Sequence, residues 1–173
     1  MTEAFDAPPP IILTLAMEPS AQARFQSLRD AHFPPALNRV PAHLTLFHHL
    51  PGERAAEVDE TVSALCAARA PFDVEVTELR SIGRGVAYRC ASEPLTELRA
   101  AIASAFEADL TRQDRQGWRP HVTVQNKVTP AEAKRTLAAL SEGFEPWSFR
   151  ALGLHLWDYM GGPWRERRMA DFA

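Results

Sequence analysis

The spacing of apolar positions changes repeatedly along the chain, and each change marks an element. Residues 11–17 are apolar and rich in β-branched side chains, which predicts a buried strand after a loose, proline-ended tail at 1–9. Pro19-Ser20 opens a helix with Ser20 as the expected N-cap. Ala23, Phe25, Leu28 and Ala31 form its apolar side, and Phe33-Pro34-Pro35 ends it. Residues 42–50 return to strand-like apolar spacing. Residues 53–70 carry Val58, Val62 and Leu65 at helical spacing. Phe72, Val74 and Val76 alternate as a strand, Gly83-Arg84-Gly85 reads as a hairpin loop, and 86–91 as its return strand.

A long helix is expected from Pro94 to about Arg112, with Leu95, Leu98, Ile102, Ala105, Phe106 and Leu110 on one side. Residues 113–119 read as a polar loop carrying Trp118, and 121–128 as a strand. Thr129 and Glu132 have the spacing of a capping box for a helix to about Ser141, ended by Gly143. Two strands, 149–157 and 164–169, flank a Gly161-Gly162-Pro163 turn.

Inside this pattern a short sequence occurs twice: His43-Leu44-Thr45-Leu46 and His121-Val122-Thr123-Val124. A strand's side chains alternate between faces. Each His therefore shares a face with its Thr while the apolar residues point into a core. About 0.35 His-x-Thr matches are expected in a chain of this make-up by chance. A single copy would read as a strand with a hydrogen-bonded His; two copies with apolar flanks favour a site. The copies are 78 residues apart, and the same offset carries Gly83 to Gly161 and Leu79 to Trp157. The order strand, helix, strand, Gly turn, strand follows both. The inference is an internal duplication: one domain over 1–173, an α+β fold of two pseudo-symmetric lobes that bring the two motifs to one cleft.

Composition narrows the function. The chain has 173 residues, 46% hydrophobic and 24% charged, with a formal charge of −3. That charge argues against a broad nucleic-acid-coating surface and leaves room for local basic residues at a phosphate. Cys66 and Cys90 have no ligand spacing and imply neither a disulfide framework nor structural zinc. The acidic, proline-rich start lacks the features of a signal peptide, and no apolar run is long enough to span a membrane. A cytoplasmic monomer without an obligate protein partner is the expectation.

The paired motifs resemble those of the 2H phosphoesterase superfamily, which includes bacterial 2′-5′ RNA ligase and 2′,3′-cyclic phosphodiesterase proteins. The resemblance implies two lobes, each an antiparallel sheet with helices outside, around a central cleft. It implies metal-independent, cofactor-free cleavage of 2′,3′-cyclic phosphates on RNA 3′ ends or small nucleotides. The alternatives are 2′-5′ ligation, which is the reverse reaction, and a non-catalytic nucleotide- or RNA-binding module. By resemblance His121 is the base on water, His43 the acid on the leaving oxygen, and Thr45 and Thr123 donate to the phosphate oxygens. Two positions depart from the pattern: His48 stands where such members carry an aromatic, and Asn126, followed by Lys127, where they carry Arg.

Further candidates are weaker. By strand alternation Gln125 and Lys127 share the face of His121, so Lys127 is a candidate phosphate cation, or a solvated lysine. Tyr88, Trp118 and Trp157 are candidate base-stacking residues, Trp157 reading better as lobe packing. Arg84 and Arg119 read either as phosphate contacts or as surface charge. His48 and His49 have no acidic or Cys companion at ligand spacing and read as strand-end histidines.

Overall fold

The computed structural model describes residues 7–173. Of the expected tail, residues 1–6 lie outside the described residues. Pro8 and Pro9 are docked rather than loose. A Cβ on Gly52 would stand 2.2 Å from the Pro9 carbonyl oxygen, and the Tyr159 N–H donates to the Pro10 carbonyl at 2.9 Å.

The strands are β1 (Ile11–Met17), β2 (Thr45–Leu50), β3 (Phe72–Ser81), β4 (Val86–Ala91), β5 (His121–Gln125), β6 (Trp147–Tyr159) and β7 (Trp164–Asp171). The helices are α1 (Pro19–His32), α2 (Ala55–Ala67), α3 (Glu93–Ala105), α4 (Arg112–Arg115) and α5 (Pro130–Ser141). All strand pairs are antiparallel, in the order β2-β1-β6-β3-β4-β5, with β7 beside β6. Exchanging β1 with β4, β2 with β5 and β3 with β6 leaves this order unchanged when read from its other end. The third strand of each half has crossed over: β3 lies beside β4, and β6 beside β1. The hairpin partners are not equivalent. β4 lies inside the sheet between β3 and β5, whereas β7 pairs with β6.

β2 and β5 are the two ends of the order, and the sheet curls until they meet. Leu44, just before β2, forms an antiparallel bridge with Val122 of β5. Leu44, Leu46, Val122 and Val124 are all at most 1% exposed. Burial of each side chain contributes about 2 kcal/mol. A one-residue slip would expose these four and turn the histidines inward, so the core locks the face on which the motifs appear.

Several boundaries differ from expectation. α1 is preceded by Glu18, with Pro19 and Ser20 already inside the helix. The Glu18 carboxylate accepts the Arg150 N–H at 3.1 Å instead of capping. α3 is capped by the Ser92 hydroxyl and stops at Ala105, with Phe106 turning into the core. α4, capped by Thr111, takes in Arg112 and the first three residues of the expected polar loop. β5 ends at Gln125, because Lys127 has a left-handed backbone, φ 62°, and its N–H is held by Asn126 Oδ1.

Candidate active site

The Leu44–Val122 bridge determines the arrangement of the motifs. In an antiparallel pair the residues on either side of a bridge face each other, so His43 stands opposite Thr123 and Thr45 opposite His121. All four share one face. Opposite Cβ atoms lie about 5 Å apart and the His–His diagonal spans about 7–8 Å, a span that one phosphate group can fill. Each histidine thus lies next to its own threonine along the chain and opposite the other motif's threonine across the seam.

Both imidazoles are oriented in the same way. His43 Nδ1 lies 2.7 Å from the Pro41 carbonyl oxygen, and His121 Nδ1 lies 2.8 Å from that of Arg119. A carbonyl only accepts, so Nδ1 carries the proton and Nε2 is the ring nitrogen left for chemistry. Their surroundings differ. His121 is exposed; His43 is half-buried, with its ring 4.7 Å from that of Trp164. Burial lowers the His43 pKa from 6.5 to about 4, partly opposed by the Pro41 carbonyl and reinforced by the charges of Arg29, His48 and His121. His43 is therefore neutral at pH 7, the state of a base. The expected allocation of His43 as acid runs against this electrostatics.

Two arginines brace the seam crosswise. Arg29 of α1 is only 4% exposed. Its Nε donates to Asn38 Oδ1 at 2.8 Å and its Nη1 to the Thr123 carbonyl at 3.3 Å. Arg99 of α3 donates from Nε to the Leu46 carbonyl at 3.3 Å and from Nη2 to the Asp114 carbonyl at 2.7 Å. Each helix thereby holds the motif strand of the other half. Burial lowers both arginine pKa values, with Asp30 and Asp114 respectively acting the other way. Their hydrogen bonds go to neutral oxygens, so neither guanidinium is neutralised by a hydrogen-bonded carboxylate.

A cleft of about 380 Å³ opens beside the seam, lined among others by Thr45, His48, Trp118 and His121. Trp118 Nε1 donates to the Thr45 carbonyl at 3.0 Å, which ties the segment after α4 to β2. Most other candidates lie outside this cleft. Tyr88 is 5% exposed and packs in the core edge-on against Phe25, with ring centroids 5.8 Å apart, so it offers no stacking surface to the cleft. Lys127 lies beyond the end of β5 in a separate pocket with His32 and Arg84. Gln125 points inward to Thr136 Oγ1 at 2.8 Å. Trp157 packs on His155 and Trp164 and donates to Thr14 Oγ1 at 2.9 Å. Arg119 lines the cleft; Arg84 does not, and its Nε donates to the Val128 carbonyl.

Asp114 carries no signal in the sequence. This α4 residue is 1% exposed. It accepts the His48 N–H at 2.9 Å, the His49 N–H at 2.9 Å and His48 Nδ1 at 3.2 Å. These bonds to His48 and His49 overcome desolvation and hold its pKa below the usual carboxylate value. Its partners are 65 and 66 residues away, and no local pattern links them. Among the described residues no group of three or more His, Cys, Asp or Glu side chains is placed to hold a metal ion. Nor is any helix among them long and apolar enough to cross a membrane.

Known structures share this architecture at low sequence identity. The crystal structure of E. coli LigT complexed with 3′-AMP superposes with a TM-score of 0.63 at 15% identity, covering 96% of this chain and 99% of that one. TT0787 of Thermus thermophilus gives 0.67 at 14% identity, covering 94% and 97%. A crystal structure described as a phosphoesterase gives 0.64 at 15% identity, covering 96% and 99%. At such identities the likeness speaks for the fold alone. No protein of curated function matches the sequence. The family model of the 2′-5′ RNA ligase superfamily matches residues 17–163, nearly the whole chain and both motifs, and the protein belongs to that superfamily of 2H phosphoesterases.

Proposed function

We propose that the protein is a metal-independent phosphodiesterase that opens 2′,3′-cyclic phosphates on RNA 3′ ends or small nucleotides. The observation that carries this reading is the square of His43, Thr45, His121 and Thr123 on one face of the closed seam. Each histidine there has its Nδ1 occupied by a carbonyl two residues back. Water must lose a proton as it attacks phosphorus, and the ribose oxygen opposite must gain one as it leaves. His43, neutral at pH 7, takes the proton on Nε2. His121, exposed and across the phosphate, returns one from its own Nε2. Thr45 and Thr123 donate to the non-bridging oxygens, where charge accumulates in the transition state.

The test is turnover of 2′,3′-cyclic nucleotides by the purified protein. Activity should persist in EDTA; loss on chelation with recovery on adding a divalent ion would reject the mechanism. His43→Ala and His121→Ala should each reduce turnover by about 10²–10⁴-fold, the usual contribution of a positioned acid or base. A folded His121→Ala protein of near wild-type activity would refute the assignment. Binding of cyclic nucleotides without turnover would point to a binding module, and joining of RNA ends in preference to cleavage would point to a ligase.

A further inference from the structure

The wall of the cleft beyond His121 is positively charged on a chain whose formal charge is −3. Arg80, Arg89, Arg99 and Arg119 line it, with Asp114 as the lining carboxylate. Glu78 reaches both Arg80 and Arg89, at 3.2 and 3.3 Å, so one exposed carboxylate serves two guanidiniums. Asp114 is already taken by the His48 ring and two backbone N–H groups. The sheet register places the charges relative to the motif. Arg89 pairs directly with His121, one strand spacing of about 4.8 Å away, and Arg80 pairs with Ala87, the neighbour of Thr123. On the β2 side, Asp114 accepts from Nδ1 of His48 and leaves its Nε2 as the free ring nitrogen. None of these groups belongs to the motif square of His43, Thr45, His121 and Thr123. Surplus cations beside an anion site are the means by which a protein holds a second anion.

We propose that this wall is a second phosphate subsite, formed by Arg89, Arg80, Arg119 and the Asp114-anchored His48. The preferred substrate then carries a phosphate on the 5′ oxygen of the nucleotide whose 2′,3′-cyclic phosphate is opened. This deepens the phosphodiesterase reading and rests on it only for the turnover measurements.

The experiment compares kcat/KM of the full-length protein on three substrates: 2′,3′-cyclic AMP, its 5′-phosphorylated form, and an adenosine dinucleotide with a 2′,3′-cyclic end. The second phosphate should raise kcat/KM by about tenfold or more, the effect of one charge-assisted contact, and the gain should shrink with added salt. Arg89→Gln should remove most of the gain, chiefly through KM, and Arg89→Lys should restore part of it. A gain shared by both phosphorylated substrates supports the subsite. A gain confined to the dinucleotide assigns the effect to the added nucleoside and would overturn it. Equal kcat/KM on all three substrates, or an equal loss on all three in Arg89→Gln, would overturn it. Calorimetric binding of adenosine 3′,5′-bisphosphate against 3′-AMP gives a readout independent of turnover. Tighter binding of the bisphosphate, lost in Arg89→Gln, without hydrolysis of any cyclic phosphate, would keep the subsite and reject the phosphodiesterase. Equal binding would reject the subsite whatever the activity.

Discussion

At the scale of single residues, the two histidines have the same bonds and different surroundings, and pH separates them. If His43 is the base, its protonation shuts the reaction down. kcat/KM should therefore hold as pH falls through the weakly acidic range and be lost only as the pKa near 4 is approached. A rate that instead declines steadily as pH rises above 4 would make His43 the acid. Stability should carry a related signature. The folded pKa of His43 lies below its ordinary 6.5, and that of His155 is also lowered by burial. Between 6.5 and about 4 the unfolded chain binds more protons, so acidification favours unfolding. The melting temperature should fall as pH drops through this window, and His43→Gln should flatten the fall. The motif residues are legible because strand alternation ties their direction to Leu44, Leu46, Val122 and Val124. Arg29, whose contact with Thr123 spans 94 residues, gives no local signal.

At the scale of elements, alternation identifies strands well and fails where strands end or bulge. Counting in twos past Gln125 puts Lys127 on the His121 face, but the chain turns left-handed there. On β2 the register slips between the pairs Leu13–Phe47 and Thr14–Thr45, so Leu46 and Phe47 are both buried. That slip defeats any alternation argument about His48. α4 is too short for a helical period to register, yet it delivers the carboxylate that ties down two N–H groups of β2. Asp114→Ala would leave both without this acceptor in a largely buried place. We expect a loss of about 3 kcal/mol in urea unfolding, with His48→Ala, on the exposed side of the pair, costing much less. Equal losses would mean that the ring–carboxylate contact, rather than the backbone bonds, holds α4 to β2.

At the scale of the molecule, the strand order is symmetric under exchange of the two halves, while the crossing of β3 and β6 leaves no trace in the sequence. Hairpin signals say that two strands are neighbours in the chain, not which further strand each accepts. The Gly83-Arg84-Gly85 loop has a role in this assembly. Gly83 turns the chain at φ 86°, and Gly85 lies so close to β5 that a Cβ would stand 1.8 Å from the Gln125 carbonyl oxygen. Gly85→Ala should push β5 away from β4 and disturb the position of His121. We expect lower stability and activity together, whereas Gly83→Asn, in open space at a turn that tolerates Asn, should be mild. Thermal melts of the two variants beside their turnover would decide this.

The crossing of the third strands also governs the order in which the protein can be made. β6 lies between β1 and β3, yet it follows β1 to β5 in the chain. Until Trp147–Tyr159 emerges, β1 and β3 present unpaired edges and their apolar faces have no central strand to close on. The N-terminal half is therefore not expected to fold during its own synthesis; it should wait, exposed, until β6 is made. Nascent chains stalled before Trp147 should be protease-sensitive and dependent on holding chaperones, and protection should appear in one late step once β6 is free to slot in.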